Sequence, residues 1–324
     1  MAGAGLGTDG GTVVFGIKEN NFLGRGIEFS TDVNVSAESV KGKISLNNPN
    51  FQGSDKSLRT SIESTVTDRL TNFGYRSKKS GFSIGSGFEY YDDFYLTTGI
   101  SSYVEKLDTN STASATLRKQ EGSYFDTFFN YTLSYDKRDQ RYKTTDGYIS
   151  RFSQNVPLIS ESYTLTNKYD YKVYNKWLNE NIASFSFYAK ASNSMVGKDV
   201  KLSDRLFIPS NKLRGFEAGK IGPKDGADYI GGNYAAAINI STTLPQIFPN
   251  LQNTDFSLFF DAGNVWSVDY DSSLPQSNSI RSSVGLAVDF FTPIGPLNFS
   301  LTEVITKYED DVAESFRFNL GTTF

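Results

Sequence analysis

Apolar and polar residues alternate with a period of two from one end of the chain to the other. In IEFSTDVNVS (27–36), Ile27, Phe29, Val33 and Val35 share a face with Thr31, while Glu28, Ser30, Asp32 and Asn34 share the opposite one. In YTLTNKYDYKVYNKW (163–177), Tyr163, Leu165, Tyr169, Tyr171, Val173 and Trp177 alternate with Thr164, Lys168, Asp170, Lys172 and Lys176. FSLFFDAGNVW (256–266) and IRSSVGLAVDFF (280–291) repeat the pattern, with Asp261 on the polar face of the first and Arg281, Ser283 and Asp289 on that of the second. A period of two means strands whose side chains leave opposite faces of a sheet. Strands of soluble proteins average about five or six residues. Several runs here are 10–15 residues long, which meets or exceeds the roughly 9–11 residues that a tilted strand needs to cross a bilayer. The pattern predicts sixteen strands, at 2–8, 12–18, 26–36, 40–48, 57–67, 75–89, 94–106, 122–136, 147–156, 163–178, 182–194, 231–243, 256–266, 280–291, 296–306 and 314–324. Short connectors (NNFLGR, EYYDD, NEN, FTPIGP) alternate with long polar ones (KLDTNSTASATLRKQ, VDYDSSLPQSNS and the whole of 195–230). Short turns at one end and long loops at the other are the topology of an outer-membrane barrel. The fold expected is all-β: a transmembrane antiparallel barrel of sixteen strands, forming one domain over 1–324.

Composition sharpens this reading. Hydrophobic residues make up 38% of the 324, and the mean hydropathy is −0.38, a value that averages as soluble. Aromatic residues nevertheless reach 15%, with 26 Phe and 19 Tyr. A barrel strand turns every second residue toward water, which dilutes its apolar signal. No apolar run approaches the roughly 18 residues of a membrane helix, so any crossing must be made by strands. The chain has no Cys and no His. This removes disulfides, thiolate zinc sites and imidazole acid–base chemistry. A net charge of −4 leaves no basic footprint for nucleic acid. Met1 leads directly into AGAGLGTDGG without a charged and apolar leader; the expectation is a fragment whose targeting segment is absent.

Candidate chemistry is sparse. GAGLGTDGG (3–11) lacks the lysine and the following helix of a phosphate loop. Read instead as a strand with Gly3, Gly5 and Gly7 on one bare face, it packs poorly and pairs weakly. The carboxylates of YDD (91–93) and YEDD (308–311) fall in expected turns and read as solvated charge, so no metal site is assigned. No nucleophile–base constellation is available, and the expectation is that the protein is not an enzyme and needs no cofactor. The informative segment is NKLRGFEAGKIGPKDG (211–226). It places one arginine, Arg214, in a loop of about 36 residues, far beyond the roughly 12–15 after which structureless loops are functional or disordered. Its glycines permit left-handed turns and close packing. Asp261, on a lumen-facing position of a later strand, is a bidentate partner for a guanidinium that reaches inward.

These stretches resemble a known family. LRGF (213–216), followed by IGP (221–223) and GGN (231–233), resembles the sixth-extracellular-loop motif of BamA-type outer-membrane assembly proteins. NNFLGRG (20–26) resembles their first periplasmic turn, YDKRDQRYKTTDG (135–147) the turn between strands eight and nine, and DAGNVW (261–266) their Asp-x-Gly strand. TPIGPLNFSL (292–301) and FRFNLGTTF (316–324) resemble the last hairpin and closing strand. The likeness runs from residue 3 to the end of the chain. It implies a sixteen-stranded barrel with a long sixth loop folded into the lumen, normally preceded by POTRA domains that this chain would lack. It further implies that Leu213, Arg214, Gly215 and Phe216 form the loop-six motif and that Arg214 meets Asp261. The family's second acidic partner is replaced by Ser241, so Asn239 or water is expected to complete the arginine's shell. Phe316, Phe318, Leu320 and Phe324 would form the C-terminal strand signal.

The function implied is the assembly and insertion of β-barrel proteins in the bacterial outer membrane. A weak seam between first and last strands, at Gly3, Gly5, Gly7 and the kink-associated Gly321, would serve as a lateral gate and as a template for an incoming strand. Implied partners are unfolded outer-membrane clients, accessory assembly lipoproteins acting mainly through the POTRA domains, and membrane lipid and lipopolysaccharide. Two other readings stay open: a two-partner-secretion-type polypeptide transporter, and a passive porin.

Overall fold

Long stretches of alternating sequence find their hydrogen-bond partners in neighbouring stretches of the same kind, and the ladder closes on itself. The computed structural model describes residues 2–323 except 142, 178–180, 245–252, 275–277 and 293–294. The strands are β1 (Ala2–Gly7), β2 (Gly10–Phe22), β3 (Ile27–Ser36), β4 (Ser39–Asn48), β5 (Ser57–Arg69), β6 (Tyr75–Tyr91), β7 (Phe94–Thr109), β8 (Gly122–Asp136), β9 (Gly147–Ile159), β10 (Thr164–Trp177) and β11 (Asn181–Ser194). After the long sixth loop come β14 (Tyr234–Thr243), β15 (Thr254–Trp266), β16 (Arg281–Thr292), β17 (Gly295–Thr306) and β18 (Phe316–Thr323). These sixteen form one closed antiparallel barrel, each pairing with its sequence neighbours, and β18 pairs with β1. Two further strands, β12 (Lys224–Asp225) and β13 (Asp228–Tyr229), make a small hairpin within loop six, which sequence pattern alone reads as structureless.

The expected strand ends move by at most four residues. The largest shift is in β2, which continues to Phe22 through Lys18, Glu19, Asn20 and Asn21. Backbone pairing with β3 persists there across a bulge between Glu19 and Phe22, although the apolar alternation has stopped. The start expected at 231 moves to Tyr234 because Gly231, at φ +68°, belongs to the end of loop six.

Apolar side chains ring the outside. Ile17, Thr31, Ile44, Ile62 and Phe82 lie opposite one another on five successive strands, and Leu258, Leu286, Leu301 and Phe316 do so on four. Ile17 and Ile62 are about two-thirds exposed. A continuous belt of this kind is a lipid-facing surface. The inner wall is built of hydroxyl pairs, among them Ser30–Ser45 at 2.7 Å, Ser61–Ser83 at 2.8 Å and Thr132–Ser153 at 2.9 Å. These pairs let every second residue be polar while the hydroxyls bond one another across the strands.

Loop six, between β11 and β14, buries its apolar residues inside the loop end of the barrel. Leu202, Tyr229 and Ile230 pack with Phe73, Leu107 and Leu117. Leu206, Leu213, Phe216 and Ile221 pack with Tyr188 and Val265. The loop is a plug with its own core.

The two faces should respond differently to substitution. Ile62→Arg, on the lipid face, should destabilise the barrel by about 2–4 kcal/mol, whereas Ser61→Ala, which gives up one exchangeable hydroxyl bond, should cost about 1 kcal/mol. Urea unfolding in lipid vesicles measures both; equal costs would contradict the assigned facing.

Candidate functional site

The wall is thinnest around its first and last strands, where β1–β18 and β17–β18 share five register pairs each and β1–β2 six. β1 has only six residues, and β1 and β18 share five register pairs, from Gly3–Thr323 to Gly7–Asn319. By contrast β6 and β7 share sixteen. The Thr8 N–H donates to the Phe318 carbonyl at 3.1 Å and ends the ladder. Leu6 faces lipid and is 54% exposed, so Gly3, Gly5 and Gly7 face the lumen. A Cβ on Gly7 would stand 2.9 Å from the Phe318 carbonyl oxygen and one on Gly5 3.3 Å from that of Leu320. Glycine therefore allows β1 to approach β18 closely while giving the contact no side-chain packing. Gly5 lies directly opposite Gly321, and Leu320 lies opposite both Leu6 and Leu297. On the outer flank Phe316 stacks between Phe299 and Phe318 at centroid distances of 6.4 and 6.3 Å. Phe324 lies outside the described residues.

The loop-six motif hangs on the wall beside β14, against β15, β16 and β17. Leu213 and Phe216 are buried. Gly215 has φ +89°, and a Cβ there would stand 2.6 Å from Thr302 Cγ2 and 3.1 Å from Ser283 Cβ, so this position admits only glycine. Arg214 Nε donates to Asp261 Oδ2 at 2.7 Å and Nη2 to Oδ1 at 2.8 Å, and the Arg214 backbone N–H donates to Oδ2 at 3.0 Å. The Ser283 hydroxyl donates to the Arg214 carbonyl at 2.6 Å. The Asp261 side chain is completely buried. Three donors and a matching cation offset the desolvation of that carboxylate.

Asn239 and Ser241 stand elsewhere. Asn239 donates to the Lys212 carbonyl at 2.7 Å and accepts from Ser186 at 2.8 Å, and the Ser241 hydroxyl meets that of Ser184 at 2.8 Å. The second neighbour of the guanidinium is an aromatic ring. Phe259, directly opposite Ser241 in the ladder, lies 3.4 Å from the guanidinium carbon. A cation over a ring face is attracted without a second carboxylate.

Three further buried cations escape a reading by motif. Lys201, only 4% exposed, donates to Glu105 at 3.0 Å and Asp126 at 2.7 Å and lies 3.6 Å from Asp204. Burial works against its charge, yet Asp204, Glu105 and Asp126 outweigh burial and hold its pKa above the usual lysine range. Arg205 pairs with Asp269 and donates to Asn233 at 3.1 Å. Arg281, at the head of β16, clamps Asp311 at 2.7 and 3.0 Å. The available signal in KDVKLSDR (198–205) is a cation set between Val200 and Leu202, both fully buried, which forces Lys201 toward whatever charge the inner wall offers. The carboxylates of YEDD are engaged in the same way. Asp311 takes Arg281, and Asp310 lies 3.5 Å from Lys224. In YDD, Asp93 pairs with Lys137.

Beneath the plug, against the seam, lies a polar cavity of about 710 Å³, lined among others by Gly5, Gly7, Asp9, Lys212, Arg214 and Arg317. What this site presents is backbone: two short strand edges closed by few bonds, beside a polar cavity, under a pinned loop.

Two outcomes follow for the plug. Arg214→Ala leaves Asp261 buried without its cation and should cost about 3–5 kcal/mol; loop-six protease resistance and the heat-shift of the folded band on gels report it, and no change in either would refute the inward pin. Asp269 is pushed up by burial but pulled further down by Arg205 and by the Val200 N–H, so its pKa lies below the usual carboxylate range. Its contribution is therefore present above the ordinary value of about 3.9 and is lost as pH falls through the depressed one. Pepsin cleavage of loop six should rise only in that acid range, and Asp269→Asn should remove the pH step.

The geometry has counterparts among known proteins. The Omp85 superfamily domain matches residues 21–324. The outer membrane protein assembly factor BamA of Neorickettsia risticii is 24% identical over 240 residues, covering 72% of this chain and 32% of that protein. The sorting assembly machinery 50 kDa subunit of Saccharomyces cerevisiae is 26% identical over 227 residues, covering 65% of this chain and 46% of that protein. This chain thus spans 32% and 46% of the length of these curated relatives. The crystal structure of BamA from Haemophilus ducreyi lacking POTRA domains 1–3 superposes with a TM-score of 0.89 at 25% identity, over 100% of this chain and 69% of that one. With a family match over nearly its whole length and a closed sixteen-stranded wall to carry it, the chain belongs to the Omp85 superfamily.

Proposed function

We propose that this barrel sits in the bacterial outer membrane and assembles β-barrel proteins there, using the β1–β18 seam as a lateral gate. The observation that carries the reading is the seam itself: five register pairs, and three lumen-facing glycines that leave the inner face of β1 without side-chain packing. Parting β1 from β18 exposes a row of N–H and C=O groups that lipid cannot satisfy. An incoming client strand satisfies them by β-augmentation, and further hairpins add beside it. The short β1 supports this. Six residues fall below the roughly 9–11 that span a bilayer, so the apolar belt is shallow there and lipid must thin to match it, which lowers the cost of inserting a new strand.

The chemistry required is the exchange of backbone hydrogen bonds, with no covalent step and no cofactor. Partners in this reading are unfolded outer-membrane clients, accessory assembly lipoproteins, and the surrounding lipid and lipopolysaccharide. Loop six, filling the loop end of the lumen, speaks against a passive porin. A polypeptide transporter would send its cargo through that lumen and leave the seam closed.

Because Cys is absent from the sequence, the test is clean. Gly5→Cys with Gly321→Cys places two thiols on directly opposed residues. Oxidation in the full-length protein should abolish client assembly, and reduction should restore it. Assembly that continues under the lock would sink the lateral-gate reading; export that continues while assembly stops would separate the two activities.

A further inference from the structure

The plug and the seam meet at one side chain. Arg317, the second residue of β18, is 14% exposed and divides its donors among three segments. Nη1 donates to Asp9 Oδ2 at 2.7 Å, Nε to Glu314 Oε2 at 2.7 Å and Nη2 to the Phe216 carbonyl at 3.3 Å. Asp9 lies in the two-residue turn between β1 and β2, one step past the end of the β1–β18 ladder. Phe216 is the last residue of the loop-six motif. Around this contact the motif also bonds the β17–β18 loop through its backbone: the Glu314 N–H donates to the Gly215 carbonyl at 2.9 Å and the Glu217 N–H to the Val312 carbonyl at 2.9 Å. Phe216 and Ala313 form an antiparallel bridge. The Ser210 hydroxyl of loop six reaches Asp9 at 3.2 Å.

We infer that Arg317 is a positioning residue that latches the seam and couples its opening to the seating of loop six. This rests on the reading of the seam as a gate. Peeling β1 and β2 away from β18 must break the Asp9–Arg317 pair. Unseating loop six must release the Phe216 carbonyl from the same guanidinium and Ser210 from the same carboxylate. The two events share bonds, so each favours the other, and by linkage the coupling is reciprocal. Asp9 is the breakable half: its side chain is 49% exposed, whereas Arg317 keeps Glu314 when Asp9 leaves.

Hydrogen exchange of the purified full-length protein in bilayers, read by mass spectrometry, measures this without reference to assembly activity. Asp9→Asn breaks an exposed-turn ion pair and should speed exchange over 2–7 and 318–323 by about two- to fivefold; Asp9→Glu should restore protection. Raising the salt concentration should narrow the gap between wild type and Asp9→Asn. The coupling is read from Arg214→Ala, which touches neither β1 nor β18. It should speed exchange at the seam in the wild-type background and add nothing in Arg317→Gln or, should that variant fold poorly, in Asp9→Asn. Unchanged seam exchange in Asp9→Asn overturns the latch, and an equal Arg214→Ala effect in both backgrounds overturns the coupling. Both failures leave the gate reading intact; assembly under the Gly5–Gly321 disulfide lock overturns the gate while the latch measurements stand.

Discussion

A sheet that closes in lipid must satisfy every backbone donor and acceptor, including those of its first and last strands. Everything distinctive about this barrel follows from how sparingly it meets that requirement at β1–β18. Around most of the wall long registers add bond to bond, and side chains facing the same way pack across them; only β1–β2, with six pairs, and β17–β18, with five, are as short as the seam. At the seam the register is five pairs long, the inner face of β1 has no side chains beyond glycine, and the turn after β1 comes before β18 has run its length. The wall is continuous, but its last closure depends on a handful of hydrogen bonds and little else.

The plug compensates for the weakness of the wall without relieving it. Loop six brings apolar residues into the loop end of the lumen, where Leu213 and Phe216 are buried. It is located by charges placed on inner-wall strands: Asp261 on β15 takes Arg214, and Glu105 and Asp126 on β7 and β8 take Lys201. Each pair is costly to bury and costly to break. Such pairs fix a position more than they add stability. Beside the seam the loop lies against β16, β17 and the root of β18 on one side, and on the other it hydrogen-bonds the β1–β2 turn at the half-exposed Asp9.

The buried arginine also shows how one role is filled by different chemistry. A guanidinium beside a single fully buried carboxylate still presents a flat cationic face. Here that face rests on Phe259, so the residue opposite, Ser241, is free to bond Ser184 instead. The ring is itself buried, so the contact is shielded from water.

Barrel class, strand number and the placement of nearly every strand were legible in the sequence, because a two-residue period records which side of the wall each residue faces and nothing later in folding alters it. The inward reach of Arg214 toward Asp261 was legible for a related reason: a lumen-facing carboxylate on an apolar-flanked strand needs a cation. The tertiary structure decided what depends on curvature and on contacts between distant segments. The β12–β13 hairpin inside loop six carries no periodicity, since two residues per strand are too few to display one. The ring of Phe259 against Arg214, the engagement of Lys201 by Glu105 and Asp126, and the convergence of Asp9 and Phe216 on Arg317 join residues roughly 45 to 300 positions apart, and the closed ladder with loop six inside it brings them together.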